Sequence, residues 1–211
     1  MLVVIGIIAT LAALIAVGAA GVMHKGRIAR VQTELKGLET AIESYKSKKG
    51  FYPPDNTNNS YQNPLFYELT GTIPTNSNSL PYFASPVGHD MLAASTVATL
   101  FNMGGFINSS ADSNEVQNFF GSRPLRSGET YLAVTSNVGG VVSPVFVTLG
   151  VPVQGPVQLR SPTLGGIINP WHYNSSNPTN NAGSYDLWMD IISQGKTNRI
   201  SNWSKDPQIV Y

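Results

Sequence analysis

The chain opens on a long apolar run: residues 1–23 carry no charged side chain. As a helix rising about 1.5 Å per residue, this run is roughly 35 Å long, enough to cross the hydrocarbon core of a bilayer. A cleavable secretory signal is the competing reading. Against it, the run is longer than a signal's apolar region, no basic segment precedes it, and the helical pattern continues past any cleavage point. From His24 the pattern becomes amphipathic. Ile28, Val31, Leu35, Leu38, Ile42 and Tyr45 recur at steps of three and four, one apolar stripe on a helix. Arg30 and Glu34 stand four apart and are expected to attract, while Glu39 and Glu43 repel weakly. Lys46, Lys48 and Lys49 suit a helix C-terminus, Gly50 a left-handed cap, and Pro53-Pro54 blocks continuation. The stripe is shorter than a coiled coil requires, so it is expected to pack on the chain's own C-terminal part.

Beyond the helix the periodicity breaks into short pieces. Residues 64–69 read as a short helix with proline in its first turn and Gly71 past its end. Residues 91–103 have helical spacing, and Asp112-Ser113-Asn114-Glu115 has the spacing of a capping box before Val116, Phe119 and Phe120. Residues 130–135 and 145–151 are rich in β-formers, with turn residues Asn137-Val138-Gly139-Gly140 between them. Residues 157–160 and 185–192 are further strand candidates. The pattern predicts an antiparallel sheet with one face covered by the helical stripe.

Composition narrows the function classes. Charged residues make up 12% of the 211-residue chain, against about a quarter in a typical soluble domain. Polarity comes instead from Asn, Ser and Thr, in runs such as Asn56-Thr57-Asn58-Asn59-Ser60 and Asn174-Ser175-Ser176-Asn177. A formal net charge of +1 offers no field for steering nucleic acid. Cysteine is absent, which removes disulfides, thiolate metal sites and cysteine nucleophiles. His24, His89 and His172 are far apart in sequence, and His172 beside Trp171 in an Asn-rich stretch reads as a surface or packing residue without a base or metal partner. Asp186 and Asp190 form no acid–base pair. Ser143, Ser161 and Ser193 lack a nucleophile-elbow pattern, and Gly139-Gly140 is too short for a phosphate loop. No enzyme is expected.

Three segments carry a family resemblance. Residues 1–14, MLVVIGIIATLAAL, resemble the prepilin-type N-terminal segment of type IV pilins and type II secretion pseudopilins. Gly50-Phe51-Tyr52-Pro53 is similar to the Gly-x-Tyr-Pro that ends the spine helix in pseudopilins. Asn169-Pro170-Trp171, Tyr185-Asp186-Leu187-Trp188 and Ile200-Ser201-Asn202-Trp203 resemble the C-terminal stations of the major pseudopilin. The resemblance implies an α+β, pilin-like fold: a long N-terminal spine helix, with a transmembrane half and an amphipathic half, packed on an antiparallel β-sheet. The expected divisions are a membrane and filament-core helix over 1–23, the amphipathic spine and its end over 24–54, and a head over 55–211 with an insertion at about 60–165.

The resemblance also implies a function. The chain would be a structural subunit of a pseudopilus or pilus-like filament in type II secretion, with a surface pilin or a membrane-tethered binding module as alternatives. Met1, Val4, Ile8, Leu11, Ile15, Gly18 and Gly21 would line the assembly helix, and Trp171, Trp188 and Trp203 would pack the C-terminal loops. The implied partners are further copies of the chain, minor pseudopilins or pilins, an inner-membrane assembly platform and the lipid bilayer, with no nucleic acid. The implied placement is a single pass in the inner membrane with a periplasmic head, or an extracellular filament. Lys25, Arg27 and Arg30 pull against that topology, because cations favour the cytoplasmic side. The family's assembly glutamate would sit just before Met1, so a late-called start or a trimmed segment is expected. Major pseudopilins bind calcium in the loop matching 189–199. Here Asp190 is the only acid in that loop, with Asp186 and Asp206 outside it, and calcium takes six to eight oxygens. The expectation is therefore no cofactor, with those three acids as the only calcium candidates.

Overall fold

The computed structural model describes residues 2–77, 79–86, 91–138, 141–162 and 165–210, with side chains at all of these except 2, 5, 9–23, 135–138 and 141–145. Its first element, α1 (Leu2–Lys49), contains no proline and ends in a turn bearing Lys46, Lys48 and Lys49, cations that complement the exposed carbonyls there. Gly50 closes it at φ 88°, a conformation that favours glycine, and its N–H donates to Lys46 O at 2.8 Å. Within α1, Val31, Leu35, Leu38, Ala41, Ile42 and Tyr45 are buried, and Ile28 packs at the edge of the same core. These positions meet α2 (Leu65–Thr70) and two strands of the C-terminal sheet.

The expected single sheet on one spine is corrected: the strands form three separate antiparallel sheets. The first joins β1 (Ile73–Ser77), β2 (Leu80–Ala84) and β3 (Met91–Ala93) in that order. The second, in the order β4-β5-β7-β6, joins β4 (Tyr131–Val138), β5 (Val141–Val151), β6 (Leu159–Arg160) and β7 (Ile167–Pro170). The third, β11-β10-β9-β8, joins β8 (His172–Asn174), β9 (Asp186–Ser193), β10 (Lys196–Ser201) and β11 (Ser204–Val210). Strand β9 shows why α1 lies where it does. Leu187, Met189, Ile191 and Ser193 are buried on one face, while Trp188, Asp190 and Ile192 alternate onto the other.

The membrane-spanning half is also corrected. Among the described residues no helix is long and apolar enough to cross a membrane. The part of α1 with continuously described side chains, residues 24–49, is 26 residues long and interleaves charged with apolar positions, the pattern of a helix lying on a protein surface. The side chains of Leu11, Ile15, Gly18 and Gly21, and Met1 altogether, lie outside the described residues, while Val4 and Ile8 are exposed.

Smaller differences have local causes. Residues 91–103 divide into strand β3 and a shorter helix, α3 (Ala94–Phe101), which ends where Asn102 takes φ 56°. The capping-box residues begin no helix. Asp112 Oδ1 instead accepts the Asn114 N–H at 2.9 Å, and Ser110 Oγ donates to Glu115 at 2.7 Å, so the motif closes a local turn on itself. Glu34 does not pair with Arg30: it accepts from Arg123 Nη2 at 2.6 Å, a partner 89 residues away. Gly139 and Gly140 of the expected β4–β5 turn lie outside the described residues.

Candidate functional site

Four places hold the polar chemistry of the head. The first is Glu68, fully buried on a helix, α2, whose every residue is buried. Its Oε1 accepts the Ile107 N–H at 2.8 Å, and Oε2 accepts the Asn108 N–H at 3.0 Å and the Tyr45 hydroxyl at 2.9 Å. Burial holds the Glu68 carboxyl above its ordinary pKa, and the Ile107 and Asn108 N–H donors and Tyr45 oppose that shift. Tyr45 is raised too, by burial first and by the adjacent carboxylate second. The Asn108 amide then donates to Glu68 O and Gln117 O, so this one carboxylate fastens α1, α2 and the 106–117 loop together. Sequence reasoning passed over Glu68; its signal was a lone acid inside the apolar segment Leu65-Phe66-Tyr67-Glu68-Leu69.

The second is the outer face of the C-terminal sheet. Cross-strand pairing sets His172 opposite Trp188 and Arg199 opposite Asp190. The His172 ring stacks on Trp188 at 4.9 Å and meets Tyr61 edge-on at 5.8 Å, and its Nδ1 lies 2.8 Å from Ser60 Oγ. Burial lowers the His172 pKa to about 4, with Asp190 opposing the shift and Arg199 adding to it. Arg199 forks onto Asp190, Nε to Oδ1 and Nη2 to Oδ2, both at 2.8 Å. Trp203 meets Trp188 at 5.8 Å, whereas Trp171 is 1% exposed and belongs to the core. His24, on α1, contacts Ser193 at the end of β9.

The third place is the loop before β9. Asp186 is buried and accepts the backbone N–H groups of Thr179, Asn180 and Asn181 and the Asn180 amide. The calcium candidates are thus not brought together. Asp186 is enclosed by protein donors, Asp190 is held by Arg199, and Asp206 stands exposed on β11. Among the described residues no group of three or more His, Cys, Asp or Glu could hold a metal ion.

The fourth is a groove of about 560 Å³ between α1 and the β10–β11 hairpin. Leu35, Ile200, Trp203 and Pro207 give it apolar walls, and Gln32, Lys36, Ser201, Lys205 and Asp206 also line it. Gln32 Nε2 reaches Lys205 O at 3.4 Å and ties the two sides together. Ser201 is 2% exposed, and its hydroxyl has no hydrogen-bond partner. Nothing in the sequence distinguishes Ser201 from the chain's many other serines; only the tertiary arrangement shows it.

No protein-family model, curated protein or solved structure matches this chain. The resemblance to pilins and pseudopilins is therefore corrected: what stands is an α+β domain with three antiparallel sheets. Polymerisation through an N-terminal hydrophobic helix and single-pass placement in the inner membrane fall with the membrane-spanning half.

Proposed function

We propose that the chain works by binding rather than by catalysis. The observation that supports this most is how the side chains able to do acid–base or nucleophilic work are engaged. Glu68 accepts from three donors and Asp186 from four, Asp190 is held by the Arg199 fork, and His172 is sandwiched in aromatic packing. A catalytic group needs a lone pair or proton available to substrate. These groups spend theirs on the fold.

Among the described residues two serine–histidine contacts have the outline of a nucleophile and its base: Ser193 with His24, where the serine is buried, and Ser60 with His172, 2.8 Å apart. A histidine whose pKa sits near 4 is a poor acceptor for a serine proton. The test is hydrolysis of a series of p-nitrophenyl esters by the full chain. Turnover no faster than buffer is expected, unchanged in Ser60→Ala, His172→Gln and Ser193→Ala. Hydrolysis that Ser60→Ala and His172→Gln both abolish, or that Ser193→Ala abolishes, while the fold persists would overturn the reading.

A further inference from the structure

Residues 102–130, between α3 and β4, form no helix and no strand beyond isolated bridges at Ser109 and Ser127. Connections longer than about 12–15 residues without structure of their own are uncommon in compact domains, and they commonly serve as lids or binding loops. The two halves of this one are held very differently. In the first, Phe106 stacks on Tyr67 at 4.7 Å, Glu68 accepts the Ile107 and Asn108 N–H groups, and Thr72 exchanges hydrogen bonds with Asn108 and Ser110. In the second, residues 111–129, Phe120 alone is buried. Among the described residues, two hydrogen bonds fasten this half to α1 and α2. Phe119 N–H donates to Leu69 O at 2.8 Å, and Arg123 Nη2 donates to Glu34 at 2.6 Å. The Phe119 ring lies 5.0 Å from that of Tyr45.

The Arg123 end is a costly clasp. Its Nη1 is buried against Gly37, where a Cβ would stand 1.2 Å from it, and it has no hydrogen-bond partner. An unpaired buried N–H on a charged group costs more than a partly exposed ion pair returns, so the clasp closes with little net gain. Few buried side chains and few ties to the rest of the fold are the marks of a segment that opens locally.

We infer that residues 117–129 are a strap that opens as a unit while the rest of the fold stays closed, pivoting at the Asn108 anchor and at the start of β4. When the strap is shut, Gln117, Asn118 and Phe119 wall a groove of about 970 Å³ along α1, with Glu39, Glu43 and Ser47 on the helix side. Opening takes the Phe119 ring off Tyr45 and removes that wall, so the strap sets the width of the groove. The inference goes beyond the binding reading above and does not depend on it.

The test is native-state hydrogen exchange of the full chain, followed amide by amide by NMR at sub-denaturing urea concentrations. The Phe119 amide, bonded across to Leu69, is expected to exchange at least about tenfold faster than the Thr72 amide, which belongs to the anchor and opens with the whole fold. Glu34→Gln should speed the Phe119 amide by about twofold to fivefold, the range of a partly exposed ion pair, and leave Thr72 unchanged. In Phe119→Ala the Arg123 amide should speed as well, as one unit requires. The inference is overturned if the Phe119 amide exchanges as slowly as Thr72, if Glu34→Gln speeds both amides alike, or if Phe119→Ala leaves the Arg123 amide unchanged.

Discussion

Glu68 and His172 are both ionisable groups drawn out of water, one on α2 and one on β8, and the fold uses them in contrary ways. Glu68 is a hub: one carboxylate satisfies two backbone N–H groups and a tyrosine hydroxyl that would otherwise be buried without acceptors. His172 is a plate: its ring fills space between Trp188 and Tyr61, and one hydrogen bond to Ser60 sets its orientation. Burial moves the two pKa values in opposite senses, the acid up and the base down, because in each case the charged form is the one disfavoured. The lesson is that burial of a titratable group does not mark a site. What its hydrogen-bonding atoms face does.

The largest expected effect breaks the hub. Glu68→Ala leaves the Ile107 and Asn108 N–H groups and the Tyr45 hydroxyl without an acceptor, and should cost about 3 kcal/mol or more in urea unfolding. Tyr45→Phe removes one donor from a carboxylate that keeps two others, and should cost only about 1 kcal/mol. Equal losses for the two substitutions would mean that α2 is held by its apolar packing and that Glu68 is incidental.

The next effect separates the two groups by pH. The folded pKa of His172, about 4, lies below its ordinary 6.5, so the unfolded chain takes up the proton first as pH falls. The stabilisation is fully present above about pH 6.5 and is lost as pH falls through 4. At roughly 1.4 kcal/mol per pH unit between 6.5 and about 4, it amounts to about 3–4 kcal/mol. Glu68 runs the other way: its raised pKa stabilises the fold below the ordinary value of 4.5, and that contribution is lost as pH rises through the folded value. Urea midpoints measured from pH 7 down to pH 4 should therefore fall in the wild type and flatten in His172→Phe. In Glu68→Gln the acid loss should steepen, since the opposing contribution is gone. A wild-type profile that His172→Phe leaves unchanged would assign the acid sensitivity to another group.

What was readable in the sequence follows the range of each interaction. The burial of Val31, Leu35, Leu38, Ile42 and Tyr45 has its cause in a 3.6-residue period, a local property of the chain. Strands β4 and β5 lie in runs of β-branched residues and were readable for the same reason. The β1–β2 hairpin was not, because Pro74 and Pro81 argue against strands; here Pro74 lies on the edge strand β1, and Pro81 opens the central strand β2 before the residues that pair with β3. Nor was β11: Pro207 falls where the register with β10 slips between Arg199 and Ser201, a place that needs no ladder donor. The division into three sheets depends on pairings between distant segments that periodicity does not record. The candidate groove was legible only in part. Leu35 announced itself as apolar stripe, but that the β10–β11 hairpin lies beside it is a property of the assembled fold alone.

The smallest expected effect concerns the same contrast between local rule and distant partner, at Gly37. A glycine inside a helix costs about 1 kcal/mol relative to alanine, so Gly37→Ala should by local rules stabilise α1. A Cβ added there would coincide with the guanidinium of Arg123, the group that pairs with Glu34 at 2.6 Å. The guanidinium is the end of a long, flexible side chain and can move, but moving it gives up the partly exposed ion pair, worth about 1 kcal/mol or less. The two terms nearly cancel, and Gly37→Ala alone should change stability by less than about 0.5 kcal/mol. Made on Arg123→Ala, where the guanidinium is already gone, the same substitution should stabilise by about 0.5–1 kcal/mol. The difference between the two backgrounds, read by thermal unfolding, is the coupling of α1 to the 117–123 loop. If Gly37→Ala stabilises equally in both, Arg123 does not rest on the helix and the pairing that displaced Arg30 from Glu34 is not what orders that loop.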